Sequence, residues 1–231
     1  MAEGNRQHRL PGFDQALESL RSDALLMGNL VRRSVHNAWV GLEERDDEAC
    51  TAAIADDEEV DLLEKQLDKT GTDILLRYAP VAFDLRLVLA TLRAGAIFER
   101  LGDITVSIAR RTRRLTQDGT LPEVQQAQPA FEALERSLAS ALEAFANVDG
   151  RLAEEIRLQM EPLAQGARDL DETFSEAIPH HPHHARALVN LMAVAQGLEA
   201  GAYLLENLVE AIIYAAEAKD VRHHRNKLEV G

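Results

Sequence analysis

The sequence predicts an all-α protein made of two tandem three-helix bundles related by an internal repeat of about 100 residues. Three observations lead there. The composition is rich in Ala, Leu, Glu and Arg and holds only 4% aromatic residues, a helix-forming mixture. Apolar residues recur at helical spacing through six long stretches, and no segment alternates convincingly with the period of a strand. Finally, the chain laid over itself with a shift of 100 residues aligns Arg86 with Arg186, Leu92 with Met192, Glu99 with Glu199 and Ile108 with Leu208. No gap is needed, and the break at Pro80 falls on the break at Pro179 to Pro182.

Residues 1–12 are polar, end in Pro11-Gly12 and read as a flexible arm. The first unit, 13–116, follows. Its first helix runs from Phe13 to Glu44 through Leu17, Leu20, Ala24, Met27, Val31, Val35, Ala38 and Leu42. Asp46 or Asp47 caps the second helix, which reaches Tyr78 through Ala53, Val60, Leu63, Leu67 and Ile74. The third begins beyond Pro80 and ends near Leu115, closed by Gln117-Asp118-Gly119. The second unit, 120–218, starts its first helix at Leu121-Pro122, turns at Asn147 to Gly150, and carries Pro162 inside its second helix, where a kink is expected. PHHPHH at 179–184 separates this helix from the last, which runs from about Pro182 to Ala218. Residues 219–231 form a polar tail. A helix of about 30 residues is about 45 Å long, so each unit is expected to be elongated.

The formal charge of −14 argues against wholesale nucleic-acid binding, which needs a basic surface. A single cysteine, Cys50, excludes an internal disulfide framework and Cys-rich zinc sites and fits a reducing, intracellular compartment. The N-terminus has no apolar core of a signal peptide, and no run approaches ~18 consecutive apolar residues, so no membrane span is expected.

One constellation carries chemistry. Asp57 and Asp61 are four apart on the second helix, bordering its apolar stripe; Glu99 and Asp103 repeat that spacing on the third. In antiparallel neighbours the two pairs can converge, although spacing does not fix their axial register. Four carboxylates together need a cation, protons or arginine partners. Oxygen-only ligands suit magnesium, calcium, manganese, or a hydrolysed iron or zinc cluster. Arg86, Arg93 and Arg100, spaced by sevens beside the acids, offer a metal-free alternative. In the second unit the acids and their arginines thin together. Asp57 becomes Arg157, Arg93 becomes Ala193, Arg100 becomes Ala200 and Asp103 becomes Tyr203, while Asp61 persists as Glu161 and Glu99 as Glu199. A matched cluster is not expected there, and Tyr203 is placed to donate a hydrogen bond to Glu199. His180, His181, His183 and His184 can bind zinc or nickel, but at a junction with two prolines they read better as an exposed loop. His223-His224 in the tail is a weaker signal of the same kind. Arg110-Arg111 and Arg113-Arg114 complement a helix C-terminus. Trp39 and Cys50 read as packed side chains. No Gly-rich phosphate loop, nucleophile elbow, CxxC pair or Glu-x-x-His unit is present, so nothing argues for catalysis.

DDEEVDLLEKQL, 56–67, and PVAFDLRLVLATLRAGAIFERLGDITVSIA, 80–109, resemble the acidic helix and the P-V-A-x-D-L-R … E-R-x-G-D … I-A helix of the PhoU family of phosphate-signalling regulators. The 100-residue repeat is similar to that family's two-unit architecture. The resemblance implies that Asp57, Asp61, Glu99 and Asp103 match the family's paired metal motifs, with iron, zinc, manganese or magnesium as the multivalent ion. It implies a non-enzymatic, cytoplasmic role that restrains the phosphate-starvation response by linking the ATPase subunit of a phosphate ABC transporter to a sensor histidine kinase. Peripheral membrane association through those partners, and homodimerisation, are implied too. The second motif departs: LEAGAYLLENLV, 198–209, keeps Glu199 and Asn207 but lacks the Arg, Asp and His of the family pattern, so any metal is expected in the first unit only. Two other readings stand beside this one: a metal-carboxylate enzyme using Asp61, Glu99 and Asp103, and a metal-free helical scaffold serving another signal.

Overall fold

The computed structural model describes residues 11–115 and 121–221. Six α-helices fill them: α1 (Phe13–Glu44), α2 (Asp47–Tyr78), α3 (Ala82–Leu115), α4 (Gln128–Asn147), α5 (Gly150–Ala177) and α6 (Ala185–Glu217). Among the described residues there is no strand. The arm before residue 11, the Gln117-Asp118-Gly119 closure and most of the C-terminal tail, with His223 and His224, lie outside the described residues.

The helix boundaries follow local chemistry. Asp46, in extended conformation, accepts hydrogen bonds from the Glu48 and Ala49 amides at 2.8 and 3.2 Å and so caps α2. Asp149 does the same for α5 through the Leu152 amide, at 3.0 Å. Pro80 separates α2 from α3, and the helix before it ends on Ala79 at φ 42°. The sequence places the start of α4 too early: Pro122–Ala127 is a 3-10 helix, and the α-helix begins only at Gln128, which leaves α4 with 20 residues rather than about 30. Even so, Leu121 and Ala127 reach the core. Pro162 is carried inside α5, where it withholds a hydrogen bond from the Leu158 carbonyl on an exposed face.

Within the first unit α2 and α3 run antiparallel, and glycines fix their register. A Cβ added at Gly71 would lie 2.5 Å from Leu92, one at Gly95 3.0 Å from Leu67, and one at Gly102 2.9 Å from Oδ1 of Asp57. The α5 and α6 helices form the corresponding hairpin. The two units share one continuous core, to which all six helices contribute. α1 meets α4 where Trp39 packs on Phe131 at 5.2 Å, and Arg21 of α1 donates to the Ala146 carbonyl at 2.6 Å, holding the end of α4. α3 runs antiparallel to α6: Gly201 lies beside Leu101 and Leu134, Gly197 beside Ile104 and Ile108, and Arg86 Nε donates to the Ala215 carbonyl at 3.3 Å. Phe98 is fully buried beside Gly28 of α1; truncation to Ala would cost about 3–5 kcal/mol.

One apolar stretch bears on the expectation of no membrane span. The stretch Pro182–Glu217 does reach a hydropathy of 1.3, enough by length and composition to cross a membrane. Its alanines and leucines are apolar because α6 packs against α3, α4 and α5, and 56% of that stretch's most apolar window is buried inside the bundle.

Candidate functional site: an acidic face on the first hairpin

The register of α2 on α3 brings the four acids together. Asp57 lies beside Gly102, one residue before Asp103, and Glu99 stands one turn earlier on the same face. Asp57 and Glu99 are partly buried at the helix seam, while Asp61 and Asp103 are exposed. Glu64, which the sequence reading passed over, joins them. Its spacing was the available signal: three residues past Asp61 and seven past Asp57 keeps it on that face.

The electrostatics show mutual repulsion. Burial, followed by the charges of Asp61 and Asp103, pushes the Asp57 carboxyl above the ordinary range, with Arg110 opposing. Burial and then Asp103, Glu64, Asp61 and Asp57 push Glu99 up. Glu64 is raised by burial and by Asp68 and Asp61. Four of the arginines on the neighbouring surfaces are engaged elsewhere. Arg86 reaches α6, Arg93 lies 5.9 Å from the Tyr214 ring, and Arg33 of α1 makes its two-pronged bond to Asp56, at 2.6 and 3.0 Å, not to Asp57. Arg113 is taken by Asp47, at 2.6 Å. Among the described residues no ion pair joins Arg86, Arg93 or Arg100 to the four acids.

The donors are carboxylate oxygens only, which fits a hard multivalent cation. The side chains are not gathered into a finished cage: no group of three His, Cys, Asp or Glu among the described residues is arranged to hold a metal ion. The histidines of PHHPHH likewise form no such group. His180, His181 and His183 are exposed, and His181 Nε2 is 3.8 Å from the buried Glu123. Cys50 is buried, and burial followed by the charge of Asp47 pushes its thiol up to about 11, which keeps it protonated and unreactive.

The second hairpin solves the same problem with side chains. Arg168 donates to Glu199 at 2.9 Å, to Glu161 at 2.7 Å and to Tyr203 Oη at 2.6 Å. Tyr203 in turn donates to Glu199 at 3.4 Å, as its position in the repeat suggested. Arg157, the counterpart of Asp57, is bound through both nitrogens to Glu154, at 2.7 and 2.8 Å. Arg168 was missed in the sequence reading. The signal was there, because a shift of 100 residues lays it on Asp68.

Comparison with known proteins agrees with this architecture. The PhoU domain model matches residues 24–112, from within α1 almost to the end of α3. A phosphate-specific transport system accessory protein PhoU homolog of Pseudomonas putida is 28% identical over 229 residues, covering 96% of this chain and 87% of that protein. The Escherichia coli K12 accessory protein PhoU is 25% identical, covering 91% and 88%. The crystal structure of PhoU from Pseudomonas aeruginosa superposes with a TM-score of 0.86 at 25% identity, covering 90% of this chain and all of that one. A Streptococcus pneumoniae phosphate transport system regulatory protein PhoU, at 22% identity and a TM-score of 0.83, shares the fold over 90% of this chain and 99% of its own. With its six helices, its tandem three-helix architecture and the acidic pairs of α2 and α3, the chain is similar to proteins of the PhoU family, and its residues 24–112 match the PhoU domain.

Proposed function

We propose that this protein is a non-enzymatic regulator of phosphate uptake that restrains the phosphate-starvation response as an adaptor between the ATPase subunit of a phosphate ABC transporter and a sensor histidine kinase. The names of its relatives as accessory proteins of phosphate-specific transport systems support the regulatory role. The observation that carries the reading furthest is the un-neutralised acidic face of α2 and α3, which retains the first family motif in full. Asp57, Asp61, Glu99 and Asp103 would hold a multivalent cation such as iron, zinc, manganese or magnesium. That ion would supply charge neutralisation and pin α2 to α3, with Glu64 at the edge of the site. The protein works in the cytoplasm, reaches the membrane through its partners, and self-associates as a homodimer.

The test is a pull-down of the transporter ATPase subunit and of the kinase at cellular concentrations, with metal content measured on the same untagged protein. Capture of both partners, with stoichiometric metal lost in an Asp61→Ala/Glu99→Ala variant, is the expected result. Failure to capture either partner would overturn the adaptor role, and metal-dependent turnover abolished by Asp103→Ala would replace it with an enzyme.

A further inference from the structure

At the end of the bundle where α3 finishes and α6 begins, two arginines stand in a setting unlike that of the acidic face. A cavity of about 440 Å³ opens there, lined by Arg114, Ile178, Ala185, Arg186, Val189 and Asn190. No acidic side chain lines it, although the chain holds 39 Asp and Glu against 25 Lys and Arg. Arg114 comes from the last turn of α3 and Arg186 from the first turn of α6. Neighbouring Arg113 is committed to Asp47, whereas Arg114 and Arg186 make no ion pair among the described residues. Asn190 is buried and donates to the Arg186 carbonyl one turn earlier in α6, at 3.0 Å. The cap of α6, His184, supplies no side-chain hydrogen bond, so the positive end of the helix dipole adds to the field of the two arginines.

We propose that this cavity binds a phosphate-type oxyanion between Arg114 and Arg186. Two guanidinium groups lining one cavity repel unless an anion lies between them, and planar five-donor forks match the oxygens of a phosphoryl group better than those of water. The volume falls in the range of small-molecule sites and exceeds what a bare anion needs. Ile178 and Val189 therefore form an apolar wall for the organic part of the ligand. That chemistry is shared by a soluble phosphate compound and by an anionic lipid headgroup. The site shares no lining residue with the carboxylate face, and it depends neither on a cation there nor on the adaptor role.

The experiment uses the full chain in EDTA, so that no metal on the acidic face can recruit phosphate. Inorganic phosphate and sn-glycerol 3-phosphate are titrated by calorimetry, and vesicles of phosphatidylglycerol are compared with vesicles of phosphatidylcholine by co-sedimentation. An Arg114→Gln/Arg186→Gln variant is measured beside Arg151→Gln, which removes an exposed cation elsewhere, and all three proteins are checked for equal melting. Saturable binding of a soluble phosphate, weakened at least tenfold in the double variant alone, supports the site with a soluble ligand. Binding to phosphatidylglycerol only, with the same loss, assigns the site to a headgroup. No binding of any probe, or binding unchanged in the double variant, overturns the proposal.

Discussion

The α2–α3 and α5–α6 hairpins are equivalent in the repeat and differ in charge. Asp57, Asp61, Glu64, Asp68, Glu99 and Asp103 in the first become Arg157, Glu161, Ala164, Arg168, Glu199 and Tyr203 in the second. Six negative charges are thus replaced by two positive and two negative ones. In the second hairpin Arg168 bridges Glu161 and Glu199, and those bonds hold its guanidinium firmly protonated. In the first, burial and then the neighbouring carboxylates raise the pKa values of Asp57 and Glu99. One hairpin has internalised its counter-charge, and the other has no equivalent of Arg168.

The largest expected effect tests that contrast directly. If the first hairpin binds a cation as proposed, the ion would stabilise the fold by about 2.7 kcal/mol at a hundredfold excess over its Kd. For a chain of this length that raises the Tm by about 5–10 °C. Differential scanning fluorimetry with manganese or magnesium after EDTA stripping should show the rise, and Asp61→Asn/Glu99→Gln should remove it. A Tm indifferent to every cation tried would reduce the first hairpin to a solvated acidic surface.

Next comes a transplant that touches none of the four acids. Asp68→Arg places in α2 the residue that neutralises α5. It should abolish most of the cation-induced rise in Tm and raise the melting temperature of the stripped protein. If the cation response survives intact, the absence of an Arg168 equivalent is not what keeps the first hairpin receptive.

A smaller effect separates stability from binding. A Cβ at Gly102 would stand 2.9 Å from Asp57 Oδ1 and 3.6 Å from Val60. The close contact is with the end of a side chain, which can swing aside, and Ala is favoured over Gly within a helix by about 0.5–1 kcal/mol. Gly102→Ala should therefore melt slightly higher without cation, yet bind cation roughly tenfold more weakly because Asp57 has been displaced. Chemical denaturation and a cation titration on the same variant check both halves.

How far the sequence reveals this molecule depends on what each feature rests on. The six helices were legible because burial imposes a 3.6-residue period, and the breaks at Pro80 and at Pro179 to Pro182 punctuate it. The start of α4 was not. Leu121 and Val124 look helical, but the chain covers 122–127 in the tighter 3-10 form, which propensity does not distinguish. The four acids were legible from their i, i+4 spacing, whereas their convergence depended on an axial register that Gly71, Gly95 and Gly102 set through close approach. Arg86 and Arg93 were misleading because spacing places them beside the acids, while packing turns them toward α6. Arg168 was invisible without aligning the repeat one turn farther, to Asp68.

The smallest effect concerns pH, where the two hairpins should respond with opposite sign. Asp57, Glu64 and Glu99 have folded-state pKa values above their unfolded ones, so the folded protein takes up protons first as pH falls. Their repulsion is fully present above those folded values and fades as pH drops toward the unfolded ones. Glu154 is held below the ordinary range by its hydrogen bonds from Arg157, so its contribution is present above its unfolded value and lost as pH falls through the folded one. In EDTA, acidification from pH 7 to about pH 5 should thus stabilise the first hairpin while leaving the Glu154–Arg157 pair intact. Thermal melts should rise slightly over that window in the native chain and stay flat in Asp57→Asn/Glu64→Gln/Glu99→Gln. A bound cation reverses the slope, because protons then compete with it for the same oxygens. A melt that rises equally with and without cation would separate the acidic face from metal binding altogether.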